Sequence, residues 1–265
     1  MRLSSLIDDL RRRLLDRKQP PSPLNGLKLL PQRDMRRLGS PYGGWVISHS
    51  GELRGGIFLS AGVGEDVSFD VELASLYQMT GVLIDPTPRA IRYLQSMEAH
   101  FGTSRCEPYT LDGFQPIRSY DLSAIDASSF LTVPKALWVH DDGVNFLPPE
   151  NPSNVSYSLF SKRSSNTAGT HLRVPSVSPA TLATQVDAED VKLIKLDVEG
   201  AEVDVIDPLL RHFTSVEQLL VEFDIEKVAR QKSRELLEEA LDCIDGWGFD
   251  ATHRSGRNLL FVRTR

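Results

Sequence analysis

The sequence predicts an α/β fold, with a mainly parallel sheet covered by helices on both faces. Short apolar runs recur at 56–61, 81–85, 191–196 and 216–223, and helical spacing follows each one. The runs are continuous rather than alternating, as strands buried on both faces require. They end in turns of small or acidic residues. In such sheets ligands gather at the carboxyl ends of the strands, so these turns are where a site is expected.

The chain has 265 residues, 40% apolar and 25% charged, which is ordinary globular usage. It is long enough for one large domain, or one domain with appendages, to bury a core without staples. No stretch approaches about 18 consecutive apolar residues, so no transmembrane segment is expected. Cys106 and Cys243 stand far apart. They exclude a Cys-rich zinc site and a disulfide scaffold, and they suit a reducing cytosol. With no apolar signal-peptide core at the N-terminus, a cytoplasmic location is expected. Residues 1–40 carry 10 Lys+Arg against 4 Asp+Glu, and the remainder carries 20 against 32. The acidic body argues against a nucleic-acid partner, because phosphate binding needs clustered cations.

Taken in order, Leu3, Leu6, Ile7, Leu10, Leu14 and Leu15 form the apolar stripe of an amphipathic helix. It stops before Pro20, Pro21 and Pro23. Residues 1–18 suit a homodimer, partner or anionic-surface contact, or packing on their own domain. Trp45 to Ile47 read as a short strand or hairpin among glycines. The run 56–61 leads through Ala61-Gly62-Val63-Gly64-Glu65-Asp66 into a helix bearing Phe69, Leu73, Leu76 and Tyr77. The next strand ends at Asp85, and a helix follows from about Arg89 to His100. A strand is expected near Phe130–Val133.

Residues 136–160 read as a β-rich excursion. Trp138 to His140 precede an Asp-Asp-Gly turn, and strands at Val144–Leu147 and Val155–Leu159 flank a loop. A polar stretch covers 161–169. The strand 191–196 ends at Asp197, and a helix opens at 199–202 and reaches about Leu210. The strand 216–223 ends among Glu222 and Asp224. A helix from about Ser233 to Ile244 presents Leu236, Leu237, Ala240, Leu241 and Ile244 on one face, and a hairpin closes the chain.

Two clusters carry chemistry. The Gly62/Gly64 loop lets backbone approach a ligand at a helix N-terminus. Asp85, ending the next strand, can accept the hydroxyls of an adenosine ribose. Dinucleotide enzymes use the same device, so NAD is considered. The third glycine of that fingerprint is replaced by Val67. Glu65 and Asp66 would also repel a pyrophosphate. A sulfonium centre with a zwitterionic methionine tail tolerates such acids, which favours S-adenosylmethionine. The second cluster is Asp197, Glu199 and Glu202, three carboxylates within six residues. Acids this close raise one another's pKa or bind a cation; alternatively they cap a helix. Glu222 and Asp224 could join a divalent metal site or be solvated strand-end acids. His140 is a further candidate base, or a surface turn histidine.

Three stretches resemble the FkbM family of S-adenosylmethionine-dependent methyltransferases. They are Gly-Val-Gly-Glu-Asp-Val-Ser-Phe-Asp at 62–70, Val-Leu-Ile-Asp-Pro-Thr-Pro at 82–88 and Lys-Leu-Asp-Val-Glu-Gly-Ala-Glu at 195–202. The resemblance covers about 41–262 and leaves residues 1–40 outside as a basic extension to a 41–265 domain. It implies a class I methyltransferase (Rossmann-like) fold, whose seven-stranded, mainly parallel sheet has the order 3-2-1-4-5-7-6 and helices on both faces. An N-terminal helical extension precedes it. It implies O-methylation of a sugar, glycan or polyketide-type hydroxyl. Gly62 and Gly64 would line the methionine part of the cofactor and Asp85 would hold the ribose. Asp142 or its neighbours would contact adenine. Ser60 and Glu65 join the cofactor-binding candidates; Ser60 stands where many class I enzymes carry an acid for the methionine amine, for which Glu65 or Asp197 would compensate. Asp197 and Glu199 are the expected catalytic acids; if Asp197 holds the amine, Glu199 or Glu222 is the base. Two other readings remain open: a catalytically inactive binding protein in an assembly, and an NAD-dependent oxidoreductase. Residues 101–175 and 1–40 are expected to shape the acceptor pocket.

Overall fold

The computed structural model describes residues 22–147, 158–160, 171–225, 228 and 231–265. The helix expected over 3–15, with its contact role, and the polar stretch 161–169 lie outside the described residues.

An antiparallel hairpin comes first, β1 (Met35–Leu38) with β2 (Trp45–Ser48). The alternating part begins with β3 (Ile57–Ala61), α1 (Ser68–Tyr77), β4 (Thr80–Ile84), α2 (Pro88–Glu98) and β5 (Phe130–Val133). An excursion follows: β6 (Ala136–Leu137), β7 (Val144–Phe146), β8 (Leu172–Val174), β9 (Ser176–Val177) and a single turn, α3 (Pro179–Leu182). The second half comprises β10 (Val191–Leu196), α4 (Glu202–His212), β11 (Gln218–Glu222), α5 (Ser233–Gly246), β12 (Phe249–Ser255) and β13 (Asn258–Arg263).

Seven strands form one sheet in the order β5-β4-β3-β10-β11-β13-β12. Counted within the sheet, this is 3-2-1-4-5-7-6, the class I methyltransferase order. The pairings among β5, β4, β3, β10 and β11 are parallel, and β13 runs antiparallel to both neighbours.

The continuous apolar runs serve two cores. Leu59, Val82, Ile194, Leu196, Leu219 and Val221 enter one. Phe58, Leu83, Leu193 and Leu220, at alternate positions, enter the other. Side chains alternate across a strand, so a sheet covered on both sides needs apolar residues in both phases. The first core takes Val205, Ile206 and Leu209 from α4 and Leu237, Ala240 and Ile244 from α5. The second takes Phe69, Leu73 and Tyr77 from α1 and Ala90, Leu94 and Met97 from α2.

The described part of the 1–40 extension, residues 22–40, packs against the domain. Leu24 lies in the first core and Leu38 in the second. The Leu30 N–H donates to Ala251 O at 2.8 Å, and Arg254 donates to the Leu24 carbonyl and to Asn25 Oδ1. In the excursion, β7 pairs with β8. Just past β7, Leu147 and Ser158 form an antiparallel bridge, and residues 148–157 lie outside the described residues. Trp138 to His140 are not strand; the short β6 just before them pairs with β9. These segments are too short for periodicity to choose a partner.

Candidate active site

Parallel register aligns the ends of the central strands. Leu196 is level with Ala61, Ala61 with Ile84, and Ile84 with Val133. The turns after β3, β4, β10 and β11 therefore open on one side. Because β13 is antiparallel, its first residue, Asn258, pairs with Glu222 and brings the preceding Arg257 to the same end. These turns surround a cavity of about 430 Å³, within the range of small-molecule sites.

The glycine loop forms the cavity's edge. Gly62 has φ +80°, and a Cβ there would lie 1.8 Å from the Asp197 carbonyl oxygen. Its N–H donates to Ile84 O at 3.0 Å, while the Asp197 N–H donates to Ala61 O at 3.0 Å. Two strand-end turns thus touch through a missing side chain. Gly62→Ala is expected to destabilise the fold by at least about 2 kcal/mol, from left-handed strain plus the clash. Urea unfolding checks this; an unchanged midpoint would mean that the turns can part freely.

Asp85 is buried at the end of β4 and lines the cavity. Its Oδ1 accepts from the Thr87 N–H (2.8 Å) and Thr87 Oγ1 (2.7 Å), and its Oδ2 from the Gly64 N–H (3.0 Å). A carboxylate offers about four lone-pair directions. Three are in use, and the fourth could accept one ligand hydroxyl.

Glu65 and Asp66 also line the cavity. Glu65 is paired with Arg89 at 2.5 Å. Asp66 Oδ2 accepts from Ser40 Oγ at 2.6 Å and from the Gly43 N–H at 3.2 Å, and Oδ1 accepts from the Ser68 N–H at 3.0 Å. Asp66 thereby joins the β1–β2 turn to the start of α1 and brings Tyr42 and Gly43 to the cavity.

Asp197, Glu199, Glu222 and Asp224 all line the cavity. Burial pushes the Asp197 carboxyl up to about 8; Glu222, Glu199 and Asp224 add to the rise, and Lys195 opposes it. The helix-capping alternative is not what these acids do. The N-cap of α4 is Ala201, without a side-chain cap, and the helix begins only at Glu202. Glu199 and Gly200 take φ of +53° and +99°, so the chain turns sharply before the helix. Glu202 points inward instead, wholly buried, and its Oε1 accepts from the Gly200 N–H at 2.9 Å. Burial raises its pKa well above the usual carboxylate range. Glu222 pairs with Arg257 at 3.0 Å, and Arg257 also reaches Asp224 at 2.8 Å. Among the described residues, no group of three or more His, Cys, Asp and Glu side chains is arranged to hold a metal ion.

Two predicted site residues are placed elsewhere. Ser60 is wholly buried and absent from the cavity lining. Strand alternation turns it under α1, beside the buried Asp70. Asp142 also lies outside the lining; its side chain is exposed, 3.8 Å from His140. The neighbouring Asp141 accepts from Ser178 and Thr181 at the start of α3, which turns this loop away from the cavity. Ala136, Leu137, Phe146 and Leu159 face the cavity instead. His140 is likewise outside the lining.

The sequence reading missed Tyr42, Trp45, Lys195 and Arg257, all of which line the cavity. Only Lys195 left a signal: a lysine, buried in the structure, inside an otherwise apolar strand run.

The methyltransferase FkbM domain matches residues 63–250. No curated protein matches the chain. Among solved structures, a fibrillarin/Nop5p complex is similar at 9% identity and TM-score 0.43, over 83% of this chain and 75% of that one. A Methanococcus jannaschii fibrillarin pre-rRNA processing protein is similar at 13% identity and TM-score 0.40, over 81% and 68%. The antibiotic-resistance methyltransferase Kmr is similar at 12% identity and TM-score 0.36, over 87% and 100%. Because the family match spans most of the chain and includes Gly64, Asp85 and the Asp197–Glu202 turn, the chain belongs to the FkbM methyltransferase family.

Proposed function

We propose that the protein transfers a methyl group from S-adenosylmethionine to a hydroxyl of a sugar, glycan or polyketide-type natural product. The observation that carries this reading is Asp197, a cavity-lining carboxyl whose pKa is pushed up to about 8. A hydroxyl is a poor nucleophile near neutral pH and needs a proton acceptor within hydrogen-bond reach.

The residues present fit the cofactor. Gly62 and Gly64 keep side chains out of the loop, and Asp85 has one acceptor direction left for a ribose hydroxyl. The lining is rich in carboxylates, which suits a sulfonium and an ammonium and disfavours a pyrophosphate. When bound, the cofactor supplies an activated methyl group with its leaving group already in place. The chain's own contribution is alignment and proton removal. In this reading Asp197 accepts the acceptor's proton. Glu199, Glu222 and Asp224 keep its carboxyl basic, and Arg257 restrains Glu222 and Asp224. Tyr42, 65% exposed at the cavity wall, offers an aromatic face to an acceptor ring. Burial and then the nearby Asp197, Glu222 and Glu199 raise its phenol pKa, so it stays neutral.

Among the described residues no helix is long and apolar enough to cross a membrane. We take the acceptor to be a small molecule or glycan reached from solvent, and the working compartment to be the cytoplasm.

The test is incubation with isotope-labelled S-adenosylmethionine and a panel of hydroxylated sugars, glycans and macrolides, read by mass spectrometry. One labelled methyl per product, attached to oxygen, is the expected result. Calorimetry should show S-adenosylmethionine binding and no NAD binding. Tight NAD binding alone would reverse the assignment; cofactor binding without transfer to any acceptor would favour a binding protein.

A further inference from the structure

Lys195 stands out in a wall of carboxylates. Its side chain is 4% exposed and lines the cavity. Its Nζ donates to the Gly62 carbonyl at 3.0 Å and lies 5.8 Å from the centroid of the Trp45 ring. An ammonium carries three donors. Among the described residues that hydrogen bond to Gly62 is the one Lys195 makes. Its charge opposes the raised pKa of Asp70 and of Asp197, yet the hydrogen bond it donates goes to neither. The cavity's other lining cation, Arg257, is committed to Glu222 and Asp224. A buried ammonium with unused donors is costly unless a ligand or water completes its shell.

We propose that Lys195 receives the α-carboxylate at the methionine end of the cofactor. This rests on the S-adenosylmethionine reading above and adds a residue to it. The carboxylate is that molecule's one anionic group, and the cavity offers it one buried cation not already bridged by an acid. The ligand's ammonium is left to the carboxylates of the same wall. Asp70 is buried near Lys195, with neither oxygen hydrogen-bonded among the described residues. Lys195 is thus a specificity residue for the amino-acid half of the ligand. It has no part in the adenosine half.

Calorimetry on the full chain tests this without turnover. Wild type should bind S-adenosylhomocysteine about 10–100-fold more tightly than methylthioadenosine, which lacks the amino acid. In Lys195→Met the affinity for S-adenosylhomocysteine should fall about 10–100-fold while methylthioadenosine changes less than about twofold. Equal weakening of both ligands would make Lys195 a merely structural brace and overturn the proposal. If Lys195→Met does not fold, wild type still decides: equal affinity for S-adenosylmethionine and its decarboxylated form would overturn it. Failure of wild type to bind any adenosyl ligand would instead defeat the cofactor reading itself. Binding of methylthioadenosine with no preference for the amino-acid tail would defeat this inference alone.

Discussion

Asp197→Asn is expected to lower kcat by about 10²–10⁴-fold, the range contributed by a positioned general base, while the thermal midpoint at pH 8 stays the same or rises. The stability half follows from linkage. A free aspartate titrates near about 3.9, whereas the Asp197 carboxyl is pushed up to about 8 by burial and by its acidic neighbours. Between those values the folded chain holds a proton that the unfolded chain has released. Wild-type stability therefore falls as pH rises through that window, and the full cost is present above about 8. Asparagine has no proton to lose. The variant should gain relative to wild type as pH rises, with little difference below about pH 4.

The catalytic half has its own pH signature. In wild type, kcat/KM should climb as Asp197 ionises, with a limb near pH 8. A bound sulfonium favours the charged carboxylate, so the corresponding limb in kcat should lie at lower pH. Both limbs should vanish in Asp197→Asn. Matched losses of turnover and stability, with an unchanged profile, would return the residue to a structural role. The Glu222→Gln variant is a useful contrast. Glu222 is tied to Arg257 and contributes to the raised Asp197 pKa, so its loss should move the limb down without abolishing turnover.

Asp85→Ala is expected to weaken S-adenosylmethionine binding by about 10²-fold, as a charged hydrogen bond to a ribose hydroxyl worth about 1.5–3 kcal/mol is lost. The Gly64 N–H and Thr87 lose their acceptor at the same time, so the loop edge of the site loosens as well. Asp85→Asn should lose less, because its side-chain oxygen still accepts. Calorimetry gives the affinities, and a melting curve without ligand separates them from folding. A normal Kd in Asp85→Ala would remove this residue from the site. A collapse of the melting midpoint in both variants would mark a brace for the loop.

Much of the fold was legible because burial on two faces leaves an unmistakable record. Val191 to Leu196 could not be a solvated strand, and the apolar stripes at 69–77 and 233–244 marked helices that cover it. The carboxyl-end turns at Gly62, Asp85 and Asp197 were readable for the same reason: strand direction alone puts them together. Where the structure sets an expected residue apart from the cavity, the cause is local geometry. Ser60 is expected at the cofactor from its place in the loop, and the strand's alternation buries it against Asp70. Asp142 is expected at the adenine from the family resemblance, and Asp141 anchors that turn to Ser178 and Thr181. Residues 1–40 read as a basic extension outside the family resemblance; of their described part, Leu24 and Leu38 enter the cores.

By itself, the sequence determined the fold class, the strand order through its family motifs, and the end of the sheet where chemistry is expected. Periodicity and strand polarity are local properties, and they propagate through the sheet without further information. Only the tertiary structure decided which polar side chains meet. Lys195 reaches Gly62 across 133 positions of chain, and Arg257 reaches Glu222 and Asp224 because β13 runs against its neighbours. The elevated pKa of Asp197 is likewise a property of the assembly. It arises from desolvation and from acids on two different strand ends, and no window of sequence contains both.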